Sequence, residues 1–320
     1  MSASHEVFFR LIKTELWLFE GPDALRFLNG ITTPHLSRSA APGHALSGRG
    51  LFLDPKGKLL APFVFVKESE TRVLLRLDIG CHTSGASVLE LNQSLYDNVQ
   101  SVIIADDLRV TRHTASVVQG WGGDQAQAIS RAPLPALRPQ AQDEVFEIPL
   151  GADRYGIPTP YLGDEAFEVW PHLGTTLPLW GAQEATALQI AEAFFNANYL
   201  EFPNQLHVGD LPLEFGFADA ISFFKGCYRG QETIARATYR GKLVKGLARL
   251  HFAHPVELRD TQLTDAEGQI VGEIRVLDAE RTCALAVLRF SALEGLSTAL
   301  AKTSVTQVER LVSEINERFR

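Results

Sequence analysis

The sequence predicts a soluble α+β protein of two or three domains that ends in a small β-barrel. Three observations carry this. The chain has 320 residues, 45% hydrophobic and 21% charged, an ordinary globular composition at a length that fits two or three cores. Strand-like runs dominate the first 120 residues, whereas helical spacing takes over after Thr176. From residue 242 onward the text becomes many short apolar runs cut by turn residues, the pattern of a small barrel.

In chain order, residues 7–19 form a β-rich entry, and Gly21-Pro22-Asp23 signals a turn. Asp23 is placed to cap a short helix through DALRFLNG, closed by Gly30. Residues 44–66 read as a hairpin around Pro55-Lys56-Gly57-Lys58, and 72–79 as a further strand. Val88, Leu91 and Leu95 are at helical spacing over 84–95; 99–104 and 108–118 read as strands. Residues 119–143, rich in Gly, Ala, Pro and Gln, read as a loose surface excursion. The fragments VFEIPL and RYGIPTPYL carry prolines, which confine strands to sheet edges or ends. Leu188, Ala191, Phe194 and Phe195 mark a helix in the stretch after Thr176, and 200–219 is irregular. GQETIARATYR is open to helix or strand. LVKGLARLHFA, VGEIRVLD and CALAVLRF are barrel strands, and the end, from Val305, is open to a helix or to a strand followed by a short helix. The parts expected are 1–120 and 121–241, both α+β and interleaved, and the barrel at 242–320.

Net charge is −8, with a sequence pI near 5.6. That disfavours a dedicated nucleic-acid binder. No apolar run is long enough to span a bilayer, and the first 23 residues lack the continuous apolar core of a signal peptide, so a cytoplasmic protein without a membrane partner is the expectation. Cysteines stand at 81, 227 and 283, with no C-x-x-C. A zinc ribbon or dithiol site is disfavoured, and a single chain cannot give four thiolates to an iron–sulfur cluster. No G-x-S-x-G, P-loop, H-E-x-x-H or strand-linked G-x-G-x-x-G occurs, and single histidines such as His207 and His251 read as surface or hydrogen-bonded residues.

The densest chemistry lies in FFKGCYRGQETIARATYRG, residues 223–241. Cys227 is flanked by Lys225 and Arg229, and cations stabilise a thiolate. Gly226 and Gly230 bracket it and allow close approach of backbone to a ligand. Gln231 and Glu232 add an amide and a carboxylate. From Lys225 to Arg249 seven basic residues face one acid, Glu232, which points to an anion site. The plain alternatives are a tight turn with a buried cysteine and a solvated charged face.

Lys225-Gly226-Cys227-Tyr228-Arg229-Gly230-Gln231-Glu232 resembles the K-G-C-Y-x-G-Q-E signature of the YgfZ-type folate-binding proteins. Ala235-Arg236 and Tyr239-Arg240-Gly241 are similar to that family too. GPDALRFLNGITT and DPKGKLLA resemble segments of the wider group that includes the glycine-cleavage T-protein, an aminomethyltransferase, and LPLE at 211–214 resembles the segment that precedes the signature there. The resemblance implies a three-domain ring around a central folate cavity, with a C-terminal small β-barrel. It implies tetrahydrofolate or a folate derivative as cofactor, and a role in assembling or maintaining iron–sulfur proteins, including tRNA-modifying enzymes, in company with those proteins or their assembly machinery. Cys227 becomes the functional thiol. Lys225, Gly226, Tyr228, Gly230, Gln231, Glu232, Arg236 and Glu214 become the folate contacts, with Glu192 as the acid of the segment that holds the pterin in the wider group. Two other functions stay open: a folate-dependent one-carbon transferase, and a non-catalytic interaction protein.

Overall fold

A computed structural model describes residues 8–79, 86–121, 145–150, 154–163, 166–175, 177, 183–240, 243–257, 261–265, 267–293 and 305–312. The chain divides into two compact units. The first holds Met1–Leu53, Leu60–Thr186 and Asp219–Arg229; the second holds Asp54–Leu59, Ala187–Ala218 and Gly230–Arg320. The excursion expected at 119–143 falls almost wholly outside the described residues, as does Cys81.

The first unit is built on one large sheet. Its strands are β1 (Phe8–Glu20), β2 (His44–Leu53), β3 (Leu59–Ser69), β4 (Arg72–Leu77), β5 (Arg109–Trp121), β6 (Val145–Pro149), β7 (Arg154–Pro158), β8 (Ala166–Pro171) and the two-residue β9 (Gln183–Glu184). The spatial order is β6-β2-β3-β4-β1-β5-β8-β7, with β9 parallel to the start of β1. Strands β6 and β7, each closing on a proline, stand at the two ends of that order, while Pro62 of β3 and Pro171 of β8 lie within it. Period-2 alternation sends Ile12, Leu16 and Leu18 of β1 to the same core as Val117 of β5, Leu74 of β4 and Trp170 of β8. Among the described residues of this unit are the helices α1 (Ala24–Ile31) and α2 (Ala86–Ser101).

The second unit holds α3 (Ala187–Asn196), α4 (Gln231–Ala235), α5 (Phe290–Leu293), and strands β10 (Lys245–Phe252), β11 (Gln262–Thr264), β12 (Ile270–Leu277), β13 (Cys283–Arg289) and β14 (Val305–Arg310). The strands form an antiparallel sheet in the order β11-β12-β13-β10-β14 over a core of Leu250, Phe252, Ile274, Ala286 and Leu288. This is the barrel-like C-terminal sheet that the short strands predicted. Asp265 shapes the β11–β12 turn by accepting from the amides of Glu267 and Gln269, and Asp54 does the same for Lys56 and Lys58 in the predicted lysine–glycine turn.

Several local expectations are corrected. Helix α2 runs on to Ser101, so no strand spans 99–104; Leu95 and Val99, four apart, are both buried on it. Gly30 sits inside α1 rather than closing it, and Thr32 is the C-cap. Asp23 precedes α1 but makes no side-chain cap bond; its carboxylate instead accepts from the Asp107 amide and from Arg26. Helix α3 starts only at Ala187. Its buried face is Ile190, Phe194 and Phe195, with Leu188 and Ala191 exposed. At the C-terminus, residues 305–310 take the strand alternative. GQETIARATYR takes the helical one, ending in a widened turn at Arg236–Arg240.

Candidate functional site

In the first unit, residues 219–229 form a strap tied to the C-terminal end of α1. The Ser222 amide donates to the Thr33 carbonyl, and the Thr33 hydroxyl donates to the Ala220 carbonyl at 2.6 Å. The Arg229 amide donates to the Gly30 carbonyl at 2.9 Å. Between these ties the Lys225 side chain turns inward. Its ammonium donates to the carbonyls of Asn29 (2.9 Å), Thr32 and Pro34 (3.0 Å), and lies 4.6 Å from the centre of the Tyr228 ring. Three donors meet three acceptors, so the buried charge is satisfied. The site is also the right place for a cation: the last carbonyls of a helix lack intrahelical donors and carry its negative end.

With Lys225 drawn inward, Cys227 is left exposed. It lies on the wall of a cleft of about 520 Å³ lined by Pro22, Leu25, Arg26, Asn29, Gly30, His35, Ser37, Glu70, Lys225, Gly226 and Cys227. Pro22 and Leu25 supply apolar surface. Asn29 and Ser37 bond to each other at 2.9 Å. Arg26 pairs with Asp23 (3.2 Å) and Asp106 (2.7 Å). The hydrogen bond from Arg26, with that from the Asp107 amide, holds the Asp23 carboxyl below the usual range, and Asp23 and Asp106 hold the Arg26 guanidinium above its own.

Of the residues predicted from the sequence, Lys225, Gly226 and Cys227 line this cleft, and Tyr228 is buried beside the Lys225 ammonium. The others belong to the second unit. There Gly230 (φ +82) precedes α4. Glu232 and Arg236 form an exposed i,i+4 ion pair at 2.6 Å, a contact worth little in water. Gln231 is half-buried and Glu192 is exposed on α3. Glu214 is buried in a 3-10 turn, 3.3 Å from Lys245; burial pushes its carboxyl above the usual value, and Lys245 works against that rise.

The cations counted from Lys225 to Arg249 are not pooled. Lys225 serves carbonyls, Arg229 donates to Asn98 at 2.9 Å, and Arg236 pairs with Glu232. Lys245 pairs with Glu214, and Arg249 donates to Asn198 at 2.7 Å. Five cations of the run are thus committed within the chain, in two separate units. Sequence reasoning did not select Arg26, Asn29, Gly30, His35, Ser37 or Glu70. The stretch GPDALRFLNGITT was marked for its resemblance, yet nothing in it shows that it meets a segment nearly 200 residues later.

The architecture has a counterpart among solved structures. The glycine-cleavage aminomethyltransferase T of Bartonella henselae superposes with a TM-score of 0.58 over 90% of this chain and 80% of its own, at 14% identity, which defines a T-protein-like mixed fold. No family model matches the sequence. Among curated proteins, the human mitochondrial iron-sulfur cluster assembly factor IBA57 is 28% identical over 317 residues, 92% of this chain and 83% of that protein. The tRNA-modifying protein YgfZ of Serratia proteamaculans is 26% identical over 251 residues, 75% of this chain and 70% of that protein. The chain is thus similar in sequence to YgfZ and IBA57 proteins and in fold to the T-protein.

Proposed function

We propose that this chain binds tetrahydrofolate, or a derivative of it, in the Cys227 cleft, and supports the assembly or repair of iron–sulfur proteins, tRNA-modifying enzymes among them. The observation that carries the reading is the exposed Cys227 thiol on the wall of a cleft in a strap anchored by Lys225. The K-G-C-Y-x-G-Q-E signature and the names of the relatives, an iron-sulfur cluster assembly factor and a tRNA-modifying protein, support it. Family resemblance brings the thiol into the role; the geometry explains how it is presented.

The cleft fits such a ligand. Its volume lies in the usual range for small-molecule sites. Pro22 and Leu25 can pack on a flat ring. Gly30 and Gly226 leave bare backbone where side chains would otherwise stand, since a Cβ on either would enter open space. Arg26 is the cation for a glutamyl tail, which would compete for it with Asp23 and Asp106. A bound reduced folate supplies a carrier for one-carbon units. The chain itself binds and orients it, and holds the Cys227 thiol where a reaction partner can reach it. At 14% identity the T-protein likeness concerns fold alone, so aminomethyl transfer gains no support from it. The chain is expected to act in the cytoplasm and through protein partners. No helix among the described residues is long and apolar enough to cross a membrane, and the net charge of −8 disfavours direct binding of nucleic acid.

Two measurements test the proposal separately. Calorimetric titration with tetrahydrofolate is expected to show saturable binding; none at high micromolar ligand removes the folate part. In a deletion strain under oxidative stress, Cys227→Ser and Cys227→Ala are expected to leave iron–sulfur enzyme activities low. Full rescue by both removes the thiol from the function.

A further inference from the structure

Most of the described glycines have a visible structural reason. Of the seventeen described glycines, nine hold a positive φ, and Gly50, Gly120, Gly246 and Gly272 stand where an added Cβ would meet a neighbouring atom within 2.7 Å. Gly30 and Gly226 do neither: φ is not positive at either, and a Cβ on either has nothing within 4 Å. Both line the Cys227 cleft. Gly30 lies in helix α1, where glycine is less stable than alanine. The approach of the strap does not require it, although Arg229 donates its amide to the Gly30 carbonyl, because the Cβ direction is open. Nor does Gly226 accommodate the inward turn of Lys225, since its backbone is open to any residue.

We infer that Gly30 and Gly226 determine the specificity of this cleft: their bare backbone is the bed on which a flat heteroaromatic group lies beside the Cys227 thiol. A methyl group at either position would stand in the space that the ring occupies. The two glycines come from segments 196 residues apart and meet because the Lys225 ammonium bonds the carbonyl of Asn29, the residue next to Gly30. Leu25 and Pro22 provide apolar lining for a ring, and the thiol at its margin is reachable by a reagent that carries one. The inference rests on the reading of this cleft as the ligand site. It adds the shape of the ligand and names Gly30, a residue outside the signature, as a determinant.

The test uses the full chain with Gly30→Ala and Gly226→Ala, and two readouts. The first is affinity for tetrahydrofolate by calorimetry. The second is the rate at which Cys227, followed by peptide mass spectrometry to exclude Cys81 and Cys283, reacts with iodoacetamide and with N-pyrenylmaleimide. Both variants should unfold at the denaturant midpoint of the wild type or above it, Gly30→Ala above. Each should bind tetrahydrofolate about tenfold more weakly or worse, the effect of one methyl group forced into a filled site. Each should slow the planar reagent at Cys227 while leaving iodoacetamide within about twofold. If the wild type does not bind tetrahydrofolate but both alanines slow only the planar reagent, the folate reading fails and this inference stands with another flat ligand. If the wild type binds tetrahydrofolate and the variants bind it equally and label like the wild type, the inference is overturned and the folate reading survives. Should Gly226→Ala unfold early, Gly30→Ala decides alone, because alanine strengthens its helix.

Discussion

Glu214 shows what a buried acid can reveal about its surroundings. Its carboxyl is 8% exposed and 3.3 Å from the Lys245 ammonium. Burial raises its pKa, Lys245 opposes the rise, and the net direction is upward. The fold therefore favours the protonated form more than the unfolded chain does. That contribution to stability is fully present below the ordinary glutamate value and is lost as pH rises through the folded value. Glu214→Gln keeps an uncharged polar group in place and removes the titration. The free-energy difference between variant and wild type, measured by urea unfolding from about pH 4 to about pH 8, should move in favour of the variant as pH rises. A flat difference would show that the Lys245 pair balances burial, and one that moves the other way that it outweighs burial. Cys283 is raised for a related reason: burial first, then the charge of Asp278, while its sulfur lies 3.2 Å from the His251 ring nitrogen. Of the two described thiols, Cys283 is half-buried and Cys227 is exposed.

At the scale of the element, the strap at 219–229 works because of one side chain. The last turn of α1 leaves carbonyls without intrahelical donors, and Lys225 gathers those of Asn29, Thr32 and Pro34 under one ammonium. Lys225→Met keeps the length and the apolar stem and removes all three bonds. Hydrogen bonds from a charged group to buried acceptors are worth about 2–3 kcal/mol. A loss of that order in urea unfolding is expected, together with faster proteolysis inside the strap; a variant as stable as the wild type would show that the carbonyls find other partners. Here the sequence was half legible. The signature marked the strap, and the glycine-turn hairpin, the proline-bearing end strands and the C-terminal short strands were readable from local chemistry. The direction of Lys225 was not, since its acceptors lie 191 to 196 residues earlier, and beside a cysteine a lysine reads as a thiolate partner. The strand expected at 99–104 failed for a similar reason: its β-branched residues have strand propensity, but burial of Leu95 and Val99 against the sheet extends the helix through its start.

Across the molecule, the large sheet of the first unit is pinned by charge in its interior. Glu168 of β8, fully buried, accepts from Arg76 of β4 at 2.6 and 3.0 Å, from the Trp170 ring nitrogen at 2.8 Å and from Gln119 of β5 at 2.9 Å. Gln119 in turn accepts from Arg10 of β1 at 2.7 Å, and Arg76 also donates to Asp78. One carboxylate thus links four strands. These residues share the strand parity of Ile12, Leu74, Val117 and Trp170, so they stand on the core face of their strands rather than on a solvent face. A buried pair of this kind gives little net stability over an apolar replacement, yet breaking it by removing one partner strands the other charge. The two effects can be separated. Glu168→Leu alone leaves the Arg76 guanidinium facing an apolar side chain and should cost about 3–5 kcal/mol. Adding Arg76→Met removes the stranded charge and should recover a large part of that loss. The measurement is urea unfolding followed by tryptophan fluorescence, to which Trp170 contributes from inside the network. If the double variant is as unstable as the sum of the two singles, the pair is not coupled and the sheet is held by its apolar core; if it recovers, the network serves to fix the register of β1, β4, β5 and β8 rather than to add stability.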